Sequence, residues 1–301
     1  MDLSVIIVNY NTGELLAGCV GSVLASAGFG SIEILVVDNA SSDGSLERLP
    51  CDSRIILVRH DRNRGFAAGV NAGLRRSRGR FFLLLNPDSW LPPETLARMM
   101  TFMDGEPRAA LAGCRVEDAD GRLQPPCRRR LPRPGASLFK LMGLARLLPG
   151  SRLGRSYELG EGGSAQPEPV EAISGSFMMG RRRRLLQNVG LMDERFFLYG
   201  EDLDYCLRVK RARLGTYYVP GARVVHHRGQ SRRLLPRRSL SEGHRAMRLF
   251  YDKHYAWMHL PPLNGLVHLA IRLRLWGMLT LLHLPGVDQW LLGSGPPPRK
   301  R

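Results

Sequence analysis

Lysine is nearly absent from this 301-residue chain: four lysines stand beside forty arginines. Acids are few as well, 27 against 44 basic residues, a formal net charge of +17. Such an excess suits a phosphate-bearing partner or an anionic membrane face and leaves the fold open. The five cysteines (Cys19, Cys51, Cys114, Cys127, Cys206) are scattered with no CxxC pair, which excludes a disulfide framework or structural zinc site and fits a reducing compartment. Long apolar runs are missing too. Leu3–Val8 stops at Asn9, too short for an export signal, and Leu263–Leu284 is broken by His268, Arg272, Arg274 and His283, so no clean spanning helix is expected. Neither GxGxxG after the first strand nor GxxxxGK[ST] occurs, which removes two common phosphate loops. Aromatics make up only 7% and no nucleic-acid reader motif accompanies the charge, so no nucleic-acid partner is expected.

What is present is ordinary globular composition, 44% apolar and 24% charged. Leu3–Val8, Ile32–Val37, Arg54–Val58 and Phe81–Leu85 are short apolar runs of the kind that form strands buried on both faces. Helical spacing intervenes at Leu15–Leu24, with Asn11 or Thr12 as its expected cap, and at Ala67–Arg76; Pro92-Pro93 opens another helix through about Met103. Alternating strands and helices imply an open, doubly wound, mostly parallel α/β sheet over the first hundred residues. From Asp118 to Pro169, Pro, Gly and Arg dominate, and only Ser137–Leu148 reads as a helix. Order returns at Val170–Gly180, a helix runs from Glu201 to about Arg213, and Thr216–Val219 and Ala222–His226 read as closing strands. The expected layout is an α/β half over 1–117, an insertion over 118–169, a second half of the same domain over 170–235, and a helical extension with a basic tail over 236–301.

In open α/β sheets ligands bind beyond the carboxyl ends of the strands. The polar residues at those ends are Asn9-Tyr10-Asn11, Asp38-Asn39, Asn63-Arg64-Gly65-Phe66 and Asn86-Pro87-Asp88. Asp38 is either a binding carboxylate or the acceptor of an Asx turn. Asp88 is either a cation ligand or a turn residue before the Pro92 helix. Glu201, Asp202 and Asp204 crowd a helix start, where acids often only complement the dipole. The preceding Phe196-Phe197-Leu198-Tyr199 would, however, desolvate a carboxylate and raise its pKa toward a general base's range. His226-His227 ends an apolar run; imidazole there is either packed away or a ligand for a borderline divalent ion. The Arg181–Arg184 run is most simply a solvated helix face, with phosphate contact by one member as the alternative.

Seven segments in order then carry a resemblance: Val5-Ile-Ile-Val-Asn-Tyr-Asn11, Val36-Val-Asp-Asn-Ala-Ser-Ser-Asp-Gly44, Asn63-Arg-Gly-Phe-Ala-Ala-Gly-Val-Asn71, Leu84-Leu-Asn-Pro-Asp88, Ser174-Gly-Ser-Phe-Met-Met-Gly-Arg181, Gly190-Leu-Met-Asp-Glu-Arg-Phe-Phe-Leu-Tyr-Gly-Glu-Asp202 and His226-His-Arg-Gly-Gln-Ser231. Together they resemble the family 2 glycosyltransferases of the GT-A fold, in particular a bacterial rhamnosyltransferase-like branch. The resemblance implies a Rossmann-like, mostly parallel sheet with helices on both faces and a C-terminal helical extension. It implies that Asp38 meets the pyrimidine of a nucleotide sugar, with Asn9, Asn11, Asn39, Asn63, Gly65, Asn71 and Asn86 lining the donor site. Asn86-Pro-Asp88 stands where the family has its DXD motif, so Asp88 and His226 (with His227 as the other candidate) would hold Mg²⁺ or Mn²⁺. Asp202 matches the catalytic base, with Glu201 and Asp204 secondary. Gly190-Leu-Met-Asp departs from the commoner Gly-Gly-Phe-Asp.

The implied reaction is transfer of a sugar from a nucleotide sugar to a saccharide or lipid-linked saccharide acceptor with inversion, L-rhamnose from dTDP-L-rhamnose being the branch's donor and UDP- or GDP-sugars the alternatives. The rivals from other classes are a basic nucleic-acid-binding protein, on the charge alone, and a metal-dependent nucleotidyltransferase on a similar sheet. Basic residues interleaved with Leu and Trp in the last segment suit an interfacial helix, so the expected place is the cytoplasm, peripheral on the inner face of the membrane.

Overall fold

A computed structural model describes residues 1–28, 30–124, 127–132, 165–227 and 236–282. The chain divides into two compact units. The first is Met1–Leu131, Tyr157–Phe197 and Glu201–Arg228; the second is Pro132–Ser156, Leu198–Gly200 and Gly229–Arg301. The expected Ser137–Leu148 helix and the basic tail lie outside the described residues.

The first unit runs β1 (Leu3–Asn9), α1 (Glu14–Leu24), β2 (Ile32–Asp38), β3 (Ile55–Arg59), α2 (Phe66–Arg76), β4 (Phe81–Leu85), β5 (Ser89–Trp90), α3 (Thr95–Gly105) and β6 (Ala109–Glu117). Short strands β7 (Arg128–Arg129), β8 (Glu168–Pro169) and β9 (Ala172–Ile173) follow. Then come β10 (Phe177–Arg181), α4 (Arg182–Asn188), α5 (Glu201–Arg211) and β11 (Gly215–His226). Among the described residues one sheet has the order β3-β2-β1-β4-β10-β6-β11-β5, with β8 also on β11, while β7 and β9 pair separately. β1, β2, β3 and β4 are parallel, as are β6 and β11; β10 runs antiparallel between β4 and β6. The sheet is thus the expected mostly parallel one.

Every residue of β1, β2 and β4 is buried, because helices cover both faces of these β-branched, apolar runs. α2 lies unusually close to β1. A Cβ at Gly69 would stand 2.6 Å from Val8 Cγ1, and one at Gly73 2.5 Å from Ile6 Cγ2, so the two glycines seat the helix on the strand. The chain moves outward from β1 through β2 to β3, then returns to the other side of β1 with β4. That reversal opens a crevice at the carboxyl ends of β1 and β4.

Three local expectations need correction. α1 has Gly13 at its N-cap and no side-chain cap: Thr12 Oγ1 instead donates to Asn9 Oδ1, and Asn11 Oδ1 accepts from the Ser42 amide, both tying loops together at the strand tips. The two closing strands are one, β11, with a register shift between Val219 and Arg223 where Pro220-Gly221 interrupts the ladder. Of the Arg181–Arg184 run, Arg183 is exposed as expected, whereas the other three are tied to backbone and side chains. Arg181 donates to the Ala109, Met103 and Glu106 carbonyls, Arg182 to Ser77 Oγ and Arg184 to the Pro107 carbonyl.

In the second unit α6 (Pro236–His254) and α7 (Pro261–Leu281) form a helical pair joined by a 3₁₀ turn at Ala256–Met258. Val267 and Ile271 of α7 pack on Tyr251 of α6. Leu266, Leu269, Leu273 and Trp276, spaced three or four apart, are exposed on α7. No helix among the described residues is long and apolar enough to cross a membrane.

Candidate functional site

The tips of β1 and β2 carry a polar knot. Asn9 is fully buried, and its Nδ2 lies 2.9 Å from Asp38 Oδ1, 3.0 Å from Ser41 Oγ and 2.8 Å from Ser45 Oγ. Asp38 also accepts from the Ser41 hydroxyl at Oδ1 (2.6 Å) and from the Ser41 amide at Oδ2 (3.0 Å). A carboxylate has about four acceptor positions. Three are filled here, which leaves one on Oδ2. Asp38 therefore serves its turn and retains room for one further donor. Asn11 at φ 51° braces the neighbouring loop.

Asn39 next door bonds the Gly65 carbonyl (3.1 Å) and His60 Nδ1 (2.8 Å). Burial, then the Arg64 charge, holds the His60 pKa below its ordinary value. Asn63 Oδ1 accepts from the Gly65 amide, and Gly65 has φ 88°. A Cβ there would lie 2.6 Å from the Phe197 carbonyl oxygen, so the loop requires glycine both for conformation and for space. Asn71 sits elsewhere in this scheme. It is buried, and its amide holds the Met192 carbonyl, the Met192 amide and Glu194 Oε1, each at 2.9 Å. The structure does not bring Asn71 to the crevice; it clips the 190–194 loop to α2.

Beyond β4 the Asn86-Pro87-Asp88 turn meets the end of β11. Antiparallel pairing of β5 with β11 sets His226 opposite Ser89, and the His227 amide donates to the Asp88 carbonyl (2.9 Å). His226 Nε2 thereby lies 3.1 Å from Asp88 Oδ1 and 3.1 Å from Asn86 Nδ2. His227, by contrast, is exposed and engages this turn through its backbone. Sequence reasoning missed Gln124. This buried side chain sits at the foot of a hairpin from β6, its Oε1 3.0 Å from His226 Nδ1 and its Nε2 donating to the His226 and Glu117 carbonyls.

The third group stands at the start of α5. Asp202 Oδ2 accepts from Arg129 Nη2 (2.5 Å) and the Gly175 amide (3.2 Å), and its Oδ1 accepts from the Leu203 amide (2.7 Å). Arg129 lies in the Pro/Arg-rich stretch, with no periodic signal to mark it. The next residue along from Gly175, Ser176, accepts at its carbonyl from the Asn86 amide (3.1 Å). Asp202 and the Asn86–Asp88 turn are thus anchored to adjacent residues of one segment. Asp204 is fully buried and paired with Arg208 (2.9 Å) within its own helix, which is a structural task.

The desolvation expected of a first-turn carboxylate falls on Glu201. Burial, and then the charge of Asp202, pushes Glu201 up to about 8, and its Oε2 has no hydrogen-bond partner among the described residues. Asp202 instead balances the Arg129 guanidinium. The apolar run before α5 is divided: Phe196 is buried in the first unit, whereas the Tyr199 hydroxyl bonds Ser239 Oγ (2.7 Å) within the second.

An imidazole nitrogen and a carboxylate oxygen 3.1 Å apart are donors that a divalent cation such as Mn²⁺ accepts. Among the described residues no third His, Cys, Asp or Glu completes a cluster, so the remaining positions suit phosphate oxygens and water. The residues present fit such an ion.

Comparison with known proteins identifies the family and the fold. The family described as Glycosyl transferase family 2 matches residues 4–189. The N-acetylglucosaminyl-diphospho-decaprenol L-rhamnosyltransferase of Mycobacterium tuberculosis (strain ATCC 25618 / H37Rv) is 28% identical over 275 residues, covering 86% of this chain and 87% of its own. The low-salt glycan biosynthesis hexosyltransferase Agl10 of Haloferax volcanii is 28% identical over 230 residues, 75% of this chain and 67% of that one. Among solved structures, S. aureus TarS 1–349 in complex with UDP-GlcNAc superposes with a TM-score of 0.54 at 16% identity, covering 97% of this chain and 78% of that one, a likeness of fold. With the family matching well over half of the chain and the sheet following the GT-A plan, this protein belongs to glycosyl transferase family 2 and is a nucleotide-sugar-dependent glycosyltransferase.

Proposed function

We propose that the protein transfers a sugar with inversion, in one displacement, to a saccharide or lipid-linked saccharide acceptor, with Asp202 as general base. The observation that carries the reading is the convergence of Asp88 Oδ1 and His226 Nε2 (3.1 Å) on a turn that shares one short segment with Asp202. Asp38 accepts the ring N–H of a pyrimidine on its remaining Oδ2 position. Asn39, Asn63 and Gly65 shape the loop beside it. Asp88 and His226 would hold Mg²⁺ or Mn²⁺, which would supply Lewis acidity toward a diphosphate leaving group. Arg129 and the Gly175 amide fix Asp202 Oδ2, so the acceptor hydroxyl gives its proton to Oδ1, the oxygen with one partner. As that hydroxyl oxygen bonds to the anomeric carbon, the bond from that carbon to the diphosphate breaks.

The named activity of the M. tuberculosis relative favours L-rhamnose as the sugar and an acceptor built on a polyprenyl diphosphate, and dTDP-L-rhamnose is the donor the family resemblance implies. The exposed Leu266-Leu269-Leu273-Trp276 stripe, beside exposed Arg272 on a chain of net charge +17, favours α7 resting on an anionic membrane face. The test is product release from dTDP-L-rhamnose, UDP-glucose and GDP-mannose with Mn²⁺ and a synthetic N-acetylglucosaminyl polyprenyl diphosphate. Nucleoside diphosphate released from dTDP-L-rhamnose supports the reading; pyrophosphate release, or the absence of turnover with every donor, overturns it. Flotation with anionic vesicles checks the membrane assignment, Leu269→Glu/Trp276→Glu being expected to stay at the bottom of the gradient.

A further inference from the structure

The purpose of Gln124 is written in its hydrogen bonds. β6 and β11 are parallel, with Glu117 in register with Val225, so the two strands end together. The Asp118–Gly121 turn, with Gly121 at φ 76°, folds the chain back, and the Gln124 amide bonds the Val116 carbonyl at 2.7 Å. The side chain of Gln124 is thereby delivered beside the His226 ring. Its Nε2 faces two carbonyl oxygens, of Glu117 (3.2 Å) and His226 (2.8 Å). Reversing the amide would set its oxygen against both carbonyls, so the orientation is fixed by the backbone. The opposite atom, Oε1, accepts only, and it lies 3.0 Å from His226 Nδ1.

We infer that Gln124 is a positioning residue that locks His226 in the tautomer with the proton on Nδ1, leaving the Nε2 lone pair aimed at the point shared with Asp88 Oδ1. A neutral imidazole carries one proton, and the hydrogen bond at one nitrogen determines the state of the other. Asn86 Nδ2, 3.1 Å from Nε2, is the donor that a bare nitrogen accepts. Two electron-pair donors then face each other across 3.1 Å, an arrangement that a cation relieves. The inference rests on the reading of Asp88 and His226 as a cation site, and it adds that the site is preset by a residue touching neither cation nor substrate.

Long-range ¹H–¹⁵N NMR of histidine-labelled protein without metal, at a pH well above the ordinary histidine pKa, reads the tautomer directly. Wild type is expected to show His226 protonated at Nδ1 and bare at Nε2; a proton on Nε2 in wild type overturns the inference whatever the variant does. Gln124→Met keeps the length of the side chain and removes the acceptor, so the signals are expected to shift toward the Nε2–H form. Affinity for Mn²⁺ alone, followed by EPR, is expected to fall about 10–100-fold, as for other outer partners of metal ligands. Loss of Mn²⁺ affinity in Gln124→Met with the Nδ1–H signals of His226 unmoved would assign Gln124 a purely structural clamp and overturn the inference. Failure of the underlying cation-site reading looks different: Mn²⁺ leaves the wild-type His226 signals unmoved while the tautomer is as stated.

Discussion

Asp202→Asn separates the chemistry of the proposed base from its place in the structure. Asp202 and Arg129 form an ion pair whose side chains are only 14% and 11% exposed. Removing one partner of a buried pair costs about 3–5 kcal/mol, and in a domain of this size each kcal/mol moves Tm by roughly 2–4 °C. Asparagine is also a poor substitute geometrically. Its oxygen is required at the Oδ2 position, facing Arg129 and the Gly175 amide, which turns its NH₂ toward the Leu203 amide, donor against donor. The expected drop is therefore of order 6–20 °C. Loss of general-base catalysis separately predicts about a 10²–10⁴-fold fall in kcat. Adding Arg129→Met withdraws the cation that Asp202 balances, so the double variant is expected to regain most of the lost Tm. Its turnover, measured as nucleoside diphosphate release, is expected to remain at the level of Asp202→Asn. Near-normal turnover of the single variant would refute the base assignment. A double variant recovering kcat together with Tm would show that the single variant had failed for reasons of folding alone.

Three further outcomes follow from the same contacts. His226→Gln is expected to abolish the Mn²⁺ dependence of turnover while His227→Gln, altering an exposed side chain, leaves it intact; a titration of activity with Mn²⁺ reads both. Asn71→Ala leaves the Met192 amide and carbonyl without their side-chain partner, each worth about 1–3 kcal/mol, so Tm falls while nucleoside diphosphate affinity by calorimetry stays near wild type. Glu201 binds its proton more tightly when folded, so wild-type stability is expected to decline as pH rises from about 4.5 to about 8. Glu201→Gln removes that decline, and chemical denaturation at the two ends of the window is the check.

The sheet's first half was legible because β1, β2 and β4 are buried on both faces and so read as unbroken apolar runs. β6 was not, since Ala109-Ala-Leu-Ala-Gly-Cys114 has little of the β-branched character that marks a strand; its position between β10 and β11 makes it one. The antiparallel insertion of β10 is likewise a tertiary fact, invisible in local spacing. At the site, a family resemblance pointed to Asp88 and His226, yet it could not distinguish an asparagine that meets a ligand from one that braces a loop. Asn9 and Asn71 are buried and committed to internal partners. Gln124 and Arg129 stayed hidden because they occupy a stretch without periodicity, and their meaning arises only when a hairpin sets one beside His226 and β7 sets the other beside Asp202.

The most direct test is anomalous diffraction at the manganese edge from crystals grown with Mn²⁺ and a nucleoside diphosphate. The account predicts a single strong peak within ordinary ligand distance of both Asp88 Oδ1 and His226 Nε2, on the Asp202 side of the turn. Bound nucleotide with the manganese held by other side chains, or with no peak between those two atoms, would contradict it.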